Sequence, residues 1–443
     1  MTSVSRNNKN YLLVMLLIVL AFHWTDRTAL GLLLQDIKVD LRLTDTQLGL
    51  MSGIAFAIFY SLMGVPIARW ADRGNRVTII WLTTGLCGMA VAVCGLAGTF
   101  VQLLLIRIVV GVGEAGCAPA GHSLIAEHFT RAERPQATAI FALGAPLSIV
   151  IGYFMAGWLN QLYGWRLTFI FLGLPGLALA ALAGLTLREP RRRGRDKSAS
   201  VPVASPALGR QEAAARPSLK TVSLALWTNI TFRNLLVGYS VLNFFVYGIA
   251  QWQPSFFVRS FGLRTGSLGT WLAIINGLVG VLGTYAGGRW ASRHAHNERL
   301  HLRFSVLVYV VLGVTSPFIY LAPNPYLAFA LLAVSAFGYF STFGPTAAAV
   351  QTLVPERMRA TAFAILYLFI NLIGIGLGPL AVGVLSDAFR PWAGEESLRY
   401  ALLSLCPGYF WVAWHIWSAS RTVARDVEVT ARGEAHVGRA VVG

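Results

Sequence analysis

The stretch AFHWTDRTALGLLL, residues Ala21–Leu34, decides the fold because it places Asp26 and Arg27 inside an apolar helix. With the apolar residues upstream from Tyr11 it forms a run of about 24 residues, or about 36 Å, which is enough to cross a bilayer. A charged side chain in the hydrocarbon costs about 2.5–3.5 kcal/mol on insertion scales, so such residues usually have a function. The stretch therefore predicts a membrane protein in which Asp26 and Arg27 lie on the functional pathway.

The composition of the whole chain is that of a membrane protein. Of its 443 residues, 56% are hydrophobic and 12% are charged, whereas soluble proteins contain about 25% charged residues. Lys and Arg number 36 against 19 Asp and Glu, a net charge of +17, and these cations lie between apolar runs. This pattern follows the positive-inside bias of polytopic membrane proteins and disfavours nucleic-acid binding.

Hydropathy predicts an all-α polytopic protein with twelve spans, six in each half. The spans are at about 11–34, 45–68, 77–98, 101–127, 135–160, 166–187, 232–258, 267–290, 303–322, 325–353, 360–386 and 397–419. The predicted organisation is an N-terminal six-helix bundle (1–187), a basic cytoplasmic linker (188–222), a C-terminal six-helix bundle (223–420) and a cytoplasmic tail (421–443). The linker holds nine basic and three acidic residues.

The loops predict the orientation of the chain. Arginines follow spans two, four and eight, whereas the opposite loops are short or of mixed charge, such as the segment with Glu395 and Glu396. We therefore expect both termini in the cytoplasm and the protein in the inner (cytoplasmic) membrane.

A repeat relates the two halves. Ala68–Arg73 (ARWADR) matches Gly288–Arg293 (GRWASR) at a shift of 220, and Glu133–Thr138 matches Glu356–Thr361 at a shift of 223. Repeats of this kind place a substrate site between the halves, near the middle of the membrane.

Three motifs resemble those of the major facilitator superfamily. The loop Ala68–Arg76 resembles G-x-x-x-D-R-x-G-R, with Ala68 and Asn75 in place of glycines, and Arg107–Gly113 resembles R-x-x-x-G-x-G of span four. Gly144–Pro146 resembles a degraded form of the antiporter motif of span five, which leaves coupling to a counter-ion open. The resemblance covers about residues 10–420 and implies the major facilitator fold, twelve transmembrane helices in two pseudo-symmetric six-helix bundles.

Within the superfamily the chain resembles the bacterial spinster-like branch. The similar segments are Asp26-Arg27, the loop Asp72–Arg76 and Gly111–Ala115. The resemblance implies a secondary-active or facilitative transporter that works by alternating access and moves a lysolipid or sphingolipid such as sphingosine-1-phosphate. It also implies that Asp72, Arg73 and Arg76 form a conformational latch that holds the outward-open state, the alternative being a solvated basic loop.

Four charged residues are expected in one band of the membrane. With the N-terminus inside, Asp26 lies about 12 Å from the outer end of span one, and Arg107 and Glu114 lie about 9 and 20 Å into span four. We assign Asp26 and Glu114 as candidate proton-coupling residues, while Arg27 and Arg107 either hold their anionic forms or bind an anionic substrate headgroup. The alternative is a static set of salt bridges that fixes helix packing.

Candidate substrate-binding residues in the second half are polar or aromatic. They are Asn243, Tyr247 and Gln251 in span seven, Phe337 in span ten, and Tyr367 and Asn371 in span eleven. The three residues of span seven are four positions apart and share one helix face. Together with the charged first half they would suit an amphiphile, and packing or lipid contact is the alternative for the aromatic residues.

Other functional classes lack support in the sequence. Gly111–Gly116 fits G-x-G-x-x-G, but it lies in an apolar span without a preceding strand, so close helix packing is the better interpretation. No ATP-binding loop, nucleophile elbow or metal-ligand spacing is present, so we expect no enzymatic activity, no cofactor and no metal. The alternative functions are transport of a small organic anion and a non-transporting membrane sensor. The expected partners are an amphiphilic lipid and membrane lipids, with protons left open, and a monomer is expected to be functional.

Overall fold

The computed structural model describes residues 6–130, 132–187, 189, 226–295, 297–354 and 359–442, which are helical apart from short connections. The first half contains α1 (Arg6–Leu41), α2 (Asp45–Ser52), α3 (Ile54–Arg73), α4 (Arg76–Cys94), α5 (Phe100–Glu114), α6 (Cys117–His128), α7 (Arg134–Ala142) and α8 (Gly144–Thr186). The second half contains α9 (Ile230–Phe261), α10 (Thr265–Leu272), α11 (Gly280–Arg293), α12 (Glu298–Leu321), α13 (Pro325–Ser341), α14 (Phe343–Leu353), α15 (Arg359–Phe369), α16 (Gly378–Ala393), α17 (Ser397–Leu405) and α18 (Gly408–Val442). Two π-helical segments, Ala273–Val279 and Ile370–Leu377, precede α11 and α16. The predicted linker 188–222 lies outside the described residues except for Glu189.

Ten helical stretches of the described chain are long and apolar enough to cross a bilayer. Two of them, Arg134–Thr186 with 53 residues and Ala364–Val429 with 66, are far longer than the roughly 20 residues that one crossing needs. Gly164 breaks the first at φ 77°, a conformation that favours glycine, and a 3₁₀ turn at Gly394–Glu396 breaks the second. Each therefore provides two crossings, and the predicted twelve-helix all-α architecture is confirmed.

Capping side chains determine where several helices begin. Thr44, Asn75, Asn297 and Asn324 each accept a hydrogen bond from the backbone N–H three residues ahead, at 2.9–3.1 Å. Such caps stabilise a helix by about 1 kcal/mol each. They start α2, α4, α12 and α13, and hydropathy misses the start of α12 by five residues because it carries no information about caps.

The helices group into two compact units. Unit 1 combines Met1–Ala199 with Tyr247–Leu278 and Ile375–Leu402. Unit 2 combines Ser200–Val246, Val279–Gly374 and Leu403–Gly443. Unit 1 thus joins the helices of the first half to α10, α16 and one end of α9.

Glycines allow α5 to approach its neighbours in unit 1. A Cβ atom on Gly111 would lie 2.9 Å from the carbonyl oxygen of Phe56 in α3, and one on Gly113 would lie 2.9 Å from the backbone nitrogen of Cys87 in α4. Real Cβ atoms do not approach this closely, so both positions need glycine for the helices to pack. The close-packing interpretation of the motif Gly111–Gly116 is confirmed.

Candidate functional site

Two buried ion pairs connect α1 and α5 in unit 1. A terminal guanidinium nitrogen of Arg107 donates to Asp26, and their side chains are only 1% and 3% exposed. The Nε of Arg27 donates to Oε2 of Glu114 at 2.7 Å, and its Nη2 lies 2.6 Å from the same oxygen. The structure therefore brings together all four charged residues that the sequence analysis selected.

Each carboxylate keeps one oxygen outside its ion pair. Oδ1 of Asp26 and Oε1 of Glu114 are buried and have no hydrogen-bond partner among the described residues. A buried, unsatisfied polar atom costs about 1–3 kcal/mol, and more when it is charged, and a bound proton would reduce that cost. These two oxygens are the candidate proton positions.

Three aromatic rings surround the guanidinium of Arg27. Its central carbon lies 4.6 Å from the ring centre of Phe56, 4.8 Å from that of Tyr60 and 5.2 Å from that of Trp24. Cation–π contacts contribute about 0.5–2 kcal/mol each. These rings, which we call the aromatic cage, hold the Arg27 cation by contacts that do not depend on Glu114.

A small cavity lies beside the ion pairs. Its lining mixes two guanidinium groups, two hydroxyls and an amide with apolar side chains, and consists of Arg27, Leu30, Ser52, Phe56, Arg107, Tyr247, Gln251, Ile375 and Pro379. All of these residues belong to unit 1. The space open to the centre of a water molecule is about 40 Å³, enough for a few waters. The cavity thus fits a small polar group but not a hydrocarbon chain.

Half of the predicted substrate-binding residues line this cavity. They are Arg27, Arg107, Tyr247 and Gln251. Gln251 packs against α1, where a Cβ on Gly31 would lie 3.2 Å from the Gln251 carbonyl oxygen. The Nε2 of Gln251 has no hydrogen-bond partner in the described part of the chain, so this amide is available to a ligand.

The other four predicted residues lie in unit 2. The amide of Asn243 donates at 2.7 Å to the carbonyl four residues earlier in α9. Phe337 and Tyr367 are 43% and 57% exposed, and Asn371 is half-buried in the second π-helical segment. Their role in binding substrate stays a prediction.

Arg76 is the member of the predicted latch whose side chain can be described. The side chains of Asp72 and Arg73 lie outside the described residues. Arg76 is 1% exposed, and its guanidinium binds the carboxylates of Glu127 and Glu189, the latter at 2.5 Å. Neither acid stands out in the sequence, because Glu127 ends a span and Glu189 lies in the basic linker.

Glu189 also binds the start of α4. Its Oε2 accepts the backbone N–H of Arg76 at 2.6 Å. Burial acts to raise the pKa of Glu189, but the hydrogen bonds from the side chain and backbone of Arg76 outweigh it, so the pKa lies below the ordinary carboxyl value. Glu189 therefore remains ionised as the buried counter-charge of Arg76.

A second polar cluster, which sequence analysis missed, is centred on Asp45. This carboxylate is 1% exposed and accepts hydrogen bonds from both terminal nitrogens of Arg259 at 2.7 and 2.8 Å, from Lys38 at 2.7 Å and from the Ser386 hydroxyl at 2.6 Å. Asp45 and Lys38 belong to the first half of the chain, and Arg259 and Ser386 to the second. We call these four residues the Asp45 network, and all lie in unit 1.

Asp387 extends the contact between the halves to the start of α2. Its Oδ1 accepts the Asp45 N–H at 3.1 Å, and its Oδ2 accepts the N–H and the hydroxyl of Thr46, both at 2.7 Å. A negative charge stabilises the N-terminus of a helix, here from a distant part of the chain. A Cβ on Gly383 would collide with the Asp45 carbonyl, so α16 needs glycine there to approach α2.

Comparison with known proteins identifies the family. The sequence model of the Major Facilitator Superfamily matches residues 16–379. The chain belongs to this superfamily. It is therefore a polytopic integral membrane protein of the alternating-access transporter class. The domain boundaries and the cytoplasmic position of both termini remain predictions.

Individual relatives extend the comparison. The MFS-type efflux pump of Mycolicibacterium smegmatis (strain ATCC 700084 / mc(2)155) is 31% identical, over 94% of this chain and 94% of its own length. The hexuronate transporter of Bacillus subtilis (strain 168) is 26% identical, over 89% of this chain and 92% of its own. The crystal structure of a bacterial homolog to the human lysosomal transporter Spinster, inward-facing and unoccupied, has a TM-score of 0.81 at 27% identity, covering 96% of this chain and 99% of that one. The resemblance to a bacterial spinster-like transporter is thus confirmed.

Proposed function

We propose that the protein transports an amphiphilic lipid with an anionic headgroup, a lysolipid or a sphingolipid such as sphingosine-1-phosphate. The observation that carries the proposal is Arg27, a cation held by the aromatic cage in the wall of a cavity. A guanidinium binds phosphate oxygens by paired hydrogen bonds, and Gln251 offers a further donor beside it. Because the cavity fits only headgroup atoms, the acyl chain would extend beyond it. The likeness to the Spinster homolog supports the spinster resemblance from which this substrate class is inferred.

Proton coupling would follow from competition between the substrate headgroup and the Glu114 carboxylate for Arg27. A headgroup that binds Arg27 takes the position that the Glu114 carboxylate holds, 2.6–2.7 Å from the guanidinium. The released carboxylate would be buried without a cation and would therefore take up a proton. Asp26, paired with Arg107, is the second proton site of the proposal.

The test is uptake of labelled lysophospholipid and sphingosine-1-phosphate by proteoliposomes, with and without a pH gradient. Arg27→Ala is expected to reduce uptake at least about ten-fold, the effect of losing one charge-assisted hydrogen bond of about 1.5–3 kcal/mol. Glu114→Gln is expected to keep uptake but lose its response to the gradient. The matched control is Arg166→Ala, which removes an arginine of unit 1 that pairs with the half-exposed Asp40. Absence of protein-dependent uptake of either lipid contradicts the proposed substrate, and equal effects of the two arginine variants contradict the role of Arg27.

A small organic anion is the second candidate substrate. The small volume of the cavity favours it, since two arginines and an amide can surround a carboxylate without an acyl chain. The hexuronate transporter is a relative whose name states such a substrate. Uptake of labelled hexuronate in the same vesicles distinguishes the candidates, and a non-transporting sensor would take up neither.

A further inference from the structure

Four arginines lie close together in sequence at the end of α11 and the start of α12. They are Arg289, Arg293, Arg299 and Arg303, and we call them the arginine patch. All four side chains are exposed. In the described part of the chain none of them forms an ion pair, and Arg289 donates only to the hydroxyl of Tyr285, at 3.3 Å. Within the described residues, the patch therefore carries four positive charges without an ion-pair partner.

Side-chain contacts hold the two helix ends together. The two arginines of each helix are four positions apart, so each pair shares one helix face. The ring of Trp290 in α11 stacks on that of Phe304 in α12 at 4.4 Å and lies 5.9 Å from that of His301. Like charges at this spacing destabilise a helix. A fixed cluster of this kind favours an external counter-charge.

The matching segment of the first half contains an acidic residue that the second half lacks. Gly288–Arg293 repeats Ala68–Arg73, but Ser292 stands where the first copy has Asp72. In the first copy the following arginine, Arg76, is buried between two carboxylates. The exposed Arg289 and Arg293 have no carboxylate within their own copy of the repeat.

The arginine patch lies at the ends of two membrane spans. The span Thr265–Arg293 ends, and the span Glu298–Leu321 begins, among these arginines. We therefore expect their guanidinium groups at the level of the lipid headgroups. Tyr285, 66% exposed, is an aromatic residue of the kind enriched at that level. Arginines in this position can bind phosphate oxygens of lipids with paired hydrogen bonds.

We propose that the arginine patch is a binding site for the headgroups of anionic phospholipids of the surrounding bilayer. This site is separate from the cavity of unit 1 and does not depend on the identity of the transported substrate. Positive-inside bias applies to every cytoplasmic arginine alike. A preference for anionic lipids that depends on the arginine patch more than on other exposed arginines therefore separates the two explanations.

The test is native mass spectrometry of the full chain, titrated with phosphatidylglycerol or with phosphatidylcholine of the same acyl chains. Arg289→Gln with Arg293→Gln is compared with the matched control Arg69→Gln with Arg421→Gln, which removes two other exposed arginines. A basic side chain at an anionic lipid surface contributes about five-fold to binding, so the patch variant is expected to bind phosphatidylglycerol about 25-fold more weakly. Phosphatidylcholine binding is expected to be unchanged in both variants.

A second variant tests the two arginines of α12 separately from those of α11. Arg299→Gln with Arg303→Gln is expected to give a similar loss, and high salt is expected to remove the preference of the wild type for phosphatidylglycerol. The proposal is overturned if the patch and control variants lose phosphatidylglycerol equally. It is also overturned if the wild type binds phosphatidylglycerol and phosphatidylcholine equally well. The same holds if the patch variants lose binding of both lipids to the same extent.

Discussion

Asp45→Asn is expected to open the end of unit 1 that the Asp45 network holds together. Alternating access requires the two halves of a transporter to separate on one side of the membrane and then on the other. Asp45 lies in the first half, whereas Arg259 and Ser386 lie in the second. Separation at this end must therefore break the hydrogen bonds of this carboxylate.

The contacts of Asp45 set the size of the effect. It accepts three hydrogen bonds from charged groups, two from Arg259 and one from Lys38. Each such bond contributes about 1.5–3 kcal/mol, and since asparagine keeps one acceptor oxygen we take the loss as about 3 kcal/mol. That loss lowers the ratio of closed to open molecules about 150-fold. A closed state that dominates in the wild type would then coexist with the open one.

Double electron–electron resonance measures this population directly. Spin labels replace Val39 in α1 and Trp392 in α16, which are 68% and 63% exposed, after the four native cysteines have been replaced. We expect one short distance in the wild type and a second, longer distance in Asp45→Asn. Asp40→Asn is the matched control, because its pair with Arg166 is about half exposed and is expected to contribute about 0–1 kcal/mol. Identical distance distributions for the two variants would show that the reasoning is wrong.

The remaining predictions concern stability, measured as thermal unfolding of the purified protein. Glu189→Gln is expected to destabilise the fold by about 1.5–3 kcal/mol, because buried Arg76 loses its buried partner. Glu127→Gln removes a partner that is 33% exposed and is expected to cost less. A larger loss for Glu127→Gln than for Glu189→Gln would contradict this assignment. The hydrogen bond from Lys9, together with those from Thr130, lowers the pKa of exposed Glu133 from 4.5 to about 2. Its contribution is therefore complete above pH 4.5 and is lost as the pH falls towards 2. The difference in melting temperature between wild type and Glu133→Gln is expected to shrink over that range, and a difference independent of pH would rule out this linkage.

The charged residues of the two buried ion pairs could be predicted because the bilayer makes them conspicuous. Asp26, Arg27, Arg107 and Glu114 interrupt apolar spans, and the helix rise of 1.5 Å per residue is enough to place them in one band. Which carboxylate pairs with which arginine depends on the rotation of α1 against α5. Hydropathy contains no information about that rotation, so the two pairs and the aromatic cage appear only in the structure.

The Asp45 network could not be predicted because charges at the ends of spans are ordinary. Asp45, Lys38 and Arg259 each lie near a predicted boundary, where water and headgroups solvate charged side chains at little cost. The contact that distinguishes Asp45 joins it to a residue 214 positions later. Neither helix periodicity nor a local motif reports on pairing across such a separation.

The contact of Asp387 with α2 forms only late in the synthesis of this protein. It binds Thr46 across 341 positions, and at 5–20 residues per second a ribosome needs about 17–70 s to synthesise that length of chain. For that time the start of α2 is in the membrane without the carboxylate that stabilises it. Unit 1 is complete only after residue 402 has been translated, so the first half must wait in an unfinished state for a helix from near the end of the chain.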